Sequence, residues 1–115
     1  MFQVIGYKDK FTACGNTSHA VKRSKRLQIA NMLINNENAK VCKIAVVDKG
    51  HEDGQEIHVI FNNGIVKIYN ERTRKFITVL ICRPSQIERY NIKLTKTMKS
   101  KIKNHIANGY NNIEF

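Results

Sequence analysis

Between Gln55 and Tyr90, three β-rich runs are separated by two groups of turn residues, and no other stretch constrains the fold as strongly. The runs read Gln-Glu-Ile-His-Val-Ile-Phe, Ile-Val-Lys-Ile-Tyr and Lys-Phe-Ile-Thr-Val-Leu-Ile-Cys. Asn63-Gly64, between the first two, is a strong hairpin signal, because a type I′ turn requires positive φ at both central residues. Asn70 to Arg74 is a longer polar connection of the kind that joins neighbouring antiparallel strands. A three-stranded meander is therefore expected.

The flanking segments supply the remaining elements. Phe2 to Tyr7 and Phe11 to Cys14 have the composition of short strands, punctuated by Gly6 and by Gly15-Asn16. Thr17 or Ser18 is suited to cap a helix running from His19 to about Asn35, on which Leu27, Ala30, Leu33 and Ile34 form one apolar stripe. Val41 to Val47 is an apolar run of strand length, followed by a polar loop from Asp48 to Gly54. From Leu94 to Ala107, Met98, Ile102 and Ile106 recur every four residues on an otherwise basic helix. The expected fold is α+β: an N-terminal helical segment packed on a four- to five-stranded antiparallel sheet, with a C-terminal basic helix. Residues 1–90 form the core of one domain, and 91–115 are its basic helical extension.

Charge narrows the partners. The 115 residues carry 20 Lys and Arg against 9 Asp and Glu, a formal charge of +11. A surface so one-sided repels itself and attracts polyanions or an acidic protein. No apolar run approaches the length of a membrane span, and the first residues lack the basic and apolar regions of a signal peptide, so no membrane partner is expected. Cys14, Cys42 and Cys82 are odd in number, far apart and set among apolar residues. That pattern points to buried free thiols in a reducing compartment, hence a cytoplasmic location.

Three constellations bear on chemistry. On a helix, His19, Arg23 and Arg26 share a face, which projects one imidazole and two guanidiniums together. A proton acceptor among phosphate clamps suits metal-free cleavage of RNA, although a solvated basic helix start has the same pattern. Thr78, a hydroxyl in the apolar run Phe76 to Leu80, needs a partner or a site to face, unless it serves only as a good strand former. Arg72, Arg74, Arg83, Arg89 and Tyr90 flank the last strand and suit phosphate contact and base stacking, or merely solvate its ends. Lys22 and Lys25, with Lys99 and Lys103 in the Lys96 to Lys103 run, would add backbone affinity. His51 stands beside Glu52 and Asp53, but three adjacent residues do not converge on one ion, so no metal site and no cofactor is expected. His58 lies on the sheet face opposite Ile57, Val59 and Phe61, towards a helix or a ligand, and His105 belongs with the basic tail. The chain has no Gly-rich phosphate loop, no Gly-x-Ser-x-Gly and no His-Glu-x-x-His.

His19-Ala20 opening a basic helix, followed by a meander with Asn70-x-x-Thr-x-Lys-Phe-Ile-Thr78, resembles the toxin RNase domains of the barnase–EndoU–colicin–RelE superfamily. Members pair a His-Ala helix with a late strand reading roughly Asn-x-x-Thr-Gly-x-Ile-Ile-Thr. The resemblance covers about residues 17–90. It implies helices on a twisted antiparallel sheet, a metal-independent endoribonuclease activity, and an acidic immunity protein or antitoxin as partner. The family's histidine maps to His19, its helix basic residues to Arg23 and Arg26, and its strand hydroxyl to Thr78. Arg83 and Tyr90 fall near further polar site positions. Two departures stand out: Arg74 occupies the usual turn glycine, and the loop from Asp48 to Gly54 has no counterpart. A non-catalytic nucleic-acid-binding module, or a basic interaction protein, carries the same charge.

Overall fold

The strand runs expected from alternation pair in simple sequence order. In a computed structural model that describes residues 2–14, 25–48, 50 and 54–112, β1 (Gln3–Tyr7), β2 (Val41–Asp48), β3 (Gln55–Phe61), β4 (Ile65–Asn70) and β5 (Phe76–Ile81) form one sheet in the order β1-β2-β3-β4-β5. All neighbours are antiparallel. Helix α1 (Lys25–Asn36) connects β1 to β2, and α2 (Pro84–Glu88), α3 (Lys96–Ala107) and a 3-10 turn (Tyr110–Asn112) follow the sheet. The fold is α+β with a C-terminal helix. One expectation is corrected: α1 does not precede the sheet, because β1 comes before it and forms the edge beside β2. Phe11 to Cys14 forms no strand. Instead Phe11 packs on Tyr69 at 4.9 Å between ring centroids, and the Cys14 N–H donates to the Arg74 carbonyl at 2.8 Å. Among the described residues, no helix is long and apolar enough to cross a membrane.

Both sheet faces are covered, and the pattern in β3 shows it. Ile57, His58, Val59 and Ile60 are all buried, as expected of a central strand with a layer on each side. On one face, Ala45, Val47, Ile60, Val66 and Ile68 pack with Cys82, Ile87, Tyr90, Met98 and Ile102 from α2, α3 and the segments beside them. On the other, Ala30 and Leu33 of α1 pack against Ile65, Phe76, Val79 and Ile81. Phe11 covers Ile44, Ile57 and Val59 on that same side.

The β3–β4 turn is not type I′. Only Gly64 has positive φ there (85°), and its N–H donates to the Phe61 carbonyl at 3.1 Å. That is a type I turn closed by a left-handed glycine, the other common short hairpin. The choice follows from tertiary contact: Asn63 is buried, and its Nδ2 donates to Glu37 Oε1 at 2.7 Å. A Cβ on Gly64 would stand 2.6 Å from Ile102 Cγ1, so α3 crosses the hairpin where only hydrogen fits. Thr95 caps α3 by accepting from the Met98 N–H at 3.2 Å.

Candidate nucleic-acid interface at the edge of β5

The sheet ends at β5, and the elements around its C-terminal end enclose a groove. Arg26 arrives from the first turn of α1, Arg83 and Gln86 from the start of α2, Asn111 from the 3-10 turn, and Leu80 and Ile81 from β5. The space is ≈ 200 Å³, and none of these six lining residues is acidic. Arg26 Nη1 donates to the Val79 carbonyl at 3.4 Å, which anchors the guanidinium over the strand. Gln86 Oε1 accepts from the Arg83 N–H at 2.8 Å, which fixes the bend leading into α2. Asn111 Oδ1 is buried without a hydrogen-bond partner. The groove therefore offers guanidinium donors with no carboxylate among its lining residues, a set that suits a phosphate.

Thr78 is not among the residues that line this groove. It pairs with Ile68 and shares a sheet face with Leu80, two residues or roughly 7 Å further along the strand. That face is the one covered by α2 and α3, whereas α1 packs on the other. Arg26, carried by α1, and the Thr78 side chain thus belong to opposite faces of the sheet. The structure thus brings Arg26 and Arg83 together in one groove and leaves Thr78 outside its lining. His19, Lys22 and Arg23 lie outside the described residues, as do Thr17, Ser18 and His51.

The other candidates divide. Arg72 and Arg74 are exposed in the β4–β5 turn, so arginines flank both ends of β5, roughly 20 Å apart along the strand. Lys25 is exposed on α1, and Lys99 and Lys103 on α3. Tyr90 is corrected: it is 0% exposed and cannot stack on a base. Its hydroxyl lies 2.7 Å from His58 Nδ1, and His58 Nε2 lies 3.0 Å from Glu56 Oε1. A carboxylate only accepts, so Nε2–H donates to Glu56 and Nδ1 accepts the Tyr90 O–H. Burial pushes the Tyr90 hydroxyl well above the ordinary tyrosine range. Arg89 stacks 4.0 Å over the Phe2 ring.

His105 is corrected too. It is not part of a solvated tail but 1% exposed, with Nε2 donating to both Glu37 oxygens at 3.0 Å. Of the cysteines only Cys82 is buried. Cys14 and Cys42 are exposed, and all three are unpaired.

The late-strand motif has a physical meaning. Asn70 Oδ1 accepts from the N–H groups of Arg72 and Thr73, both at 2.9 Å, and Thr73 Oγ1 accepts from the Lys75 N–H at 3.3 Å. Arg74 holds φ at 59°, in the left-handed region that favours glycine. Asn, Thr and the position of the missing glycine are therefore turn chemistry.

Gln86 and Asn111 line the groove without any marking motif in the sequence, and Lys67 lies outside it. Lys67, the lone charge in Ile65-Val66-Lys67-Ile68-Tyr69, was visible as an anomaly; nothing local marks the other two. Among the described residues, no three His, Cys, Asp or Glu side chains are grouped to hold a metal ion. Compared with known proteins, the chain matches no family model, no curated sequence and no solved structure.

Proposed function

We propose that this protein is a metal-independent endoribonuclease of bacterial or phage toxin type, with its site at the β5 edge. The observation that carries the reading is the convergence of Arg26 and Arg83 on one groove, in a chain of charge +11. In this reading His19 is the general base or acid; as base it takes the proton of a ribose 2′-hydroxyl, and that oxygen attacks the adjacent phosphorus. The P–O5′ bond breaks, the leaving oxygen takes a proton from the imidazolium or from water, and a 2′,3′-cyclic phosphate remains. Arg23, Arg26 and Arg83 stabilise charge on the phosphoryl oxygens, and Thr78 orients the ligand. Lys22, Lys25, Arg72, Arg74, Lys99 and Lys103 add salt-dependent affinity for the RNA backbone. The substrate class is cellular RNA in the cytoplasm, tRNA being one candidate. An acidic immunity protein or antitoxin would cover the basic face.

The test is incubation of purified protein with RNA in EDTA. Fragments ending in cyclic phosphate are expected, with His19→Ala abolishing cleavage while binding persists and Arg83→Ala weakening both. Binding without fragments would overturn the nuclease and leave a nucleic-acid-binding module. One observation favours that second reading: the described groove residues are cations, amides and hydrocarbon, which bind phosphate without moving a proton.

A further inference from the structure

β1 and β2 separate at one end of the sheet. The Lys8 N–H donates to the Ile44 carbonyl at 2.9 Å, and the chain then leaves for Phe11, which packs on Tyr69. The antiparallel β2 extends past that point through Lys43, Cys42 and Val41. An open cleft of ≈ 340 Å³ results, with Tyr7, Lys8 and Asp9 on one side and Val41 to Ile44 on the other.

Two features set this cleft apart from ordinary solvated surface. Among the described residues, Ile5, Tyr7 and Val41 are three of the five exposed large apolar side chains, at 46%, 46% and 47%. Tyr7 is also held in place although half-exposed. Its O–H donates to the Tyr90 carbonyl at 2.9 Å, and the Lys43 ammonium lies 4.1 Å from its ring centroid while donating to the Asn91 carbonyl at 3.2 Å. A wall fixed beforehand loses little rotamer freedom when a ligand meets it.

Charge selects the occupant. Lys8 and Lys43 line the cleft, and Lys10 and Lys40 adjoin its lining in sequence, against Asp9 alone. Asp48 stands at the far end of β2 and accepts from the Gly50 N–H. A second copy of this chain, at +11, would set the same cations against themselves, and the bulge between Val4 and Gly6 interrupts the ladder that two β1 edges would need. A phosphate strand would meet the Asp9 carboxylate, whereas the N–H groups of a peptide donate to it. We infer that this cleft docks an extended acidic and aliphatic segment of a partner protein, with an aliphatic side chain between Tyr7 and Val41 and carboxylates on Lys8 and Lys10. The inference is independent of the nuclease reading, because the β1 and β5 edges lie four strand spacings apart, roughly 19 Å across the sheet.

The experiment measures fluorescence anisotropy of a labelled decapeptide of alternating glutamate and valine. A decapeptide of alternating glutamate and serine and a 2′-O-methyl oligoribonucleotide serve as comparison probes. The glutamate–valine peptide should bind, and Val41→Ser and Lys8→Glu should each weaken it about fivefold, while Arg83→Ala leaves it unchanged. Both substituted side chains are exposed, so thermal melting should stay at the wild-type value. Bound peptide should also slow alkylation of Cys42 in a Cys14→Ser background, where the remaining thiol, Cys82, is buried. Any of four results overturns the assignment: no peptide binding up to about 1 mM, equal binding of the glutamate–serine peptide, affinity unchanged by Val41→Ser and Lys8→Glu, or protection of Cys42 by the oligoribonucleotide in place of the peptide.

Discussion

At the scale of single residues, backbone conformation makes the sharpest predictions. Gly64 combines a left-handed φ of 85° with a Cβ position 2.6 Å from Ile102 Cγ1. Gly64→Ala should cost about 2 kcal/mol or more, from strain plus displacement of α3. A urea midpoint unchanged from wild type would show that Ile102 simply yields. Arg74 is the opposite case, a side chain with φ of 59° in an exposed turn. Arg74→Gly should stabilise by about 1 kcal/mol, measured by thermal melting, because the left-handed penalty disappears. These two residues also mark what was readable locally. Asn63-Gly64 announced a hairpin, yet its type was decided by Glu37 pulling Asn63 inward.

At the scale of elements, the C-terminal helix adds to its apolar packing a polar tie through one carboxylate. Glu37, just beyond α1, accepts from Asn63 Nδ2 at 2.7 Å and from His105 Nε2 at 3.0 Å. Glu37→Ala strands both buried donors, and the expected loss is about 3 kcal/mol. Hydrogen exchange should show α3 loosening first; equal loosening of α1 and α3 would contradict this linkage. Nothing in the spacing of Met98, Ile102 and Ile106 revealed it. The apolar seam located the buried side of α3, and Met98 and Ile102 lie there. But one place on that side went to His105, because a distant carboxylate was present to receive it.

At the scale of the whole molecule, burial sets the response to alkali. The Cys82 thiol is pushed from 9.0 up to about 12 by desolvation, and the Tyr90 hydroxyl is raised as well. Both groups are neutral in the fold and ionise more easily once unfolded. Their contribution is therefore fully present below pH 9 and is lost as pH rises towards 12. Roughly 4 kcal/mol of stability should go in that window on account of Cys82. Cys82→Ala should flatten the profile measured by urea unfolding at stepped pH, while a wild-type profile already flat there would refute the account. Lys67 acts with opposite sign, since its lowered pKa makes the fold less costly as the ammonium loses its proton, but its partial exposure weakens the effect.

The chain alone determined the meander, its turn positions, the basic surface and the presence of Arg26, Arg83 and Thr78, because turn chemistry and side-chain alternation are local properties. Alternation says which residues share a face but not what covers that face. Only the packing of α1 on one side and of α2 and α3 on the other turned His58, Tyr90 and His105 into core residues. The same packing drew Arg26 and Arg83, 57 positions apart, to one groove. Such pairings depend on burial and on partners far along the chain, and these exist only once the sheet has formed.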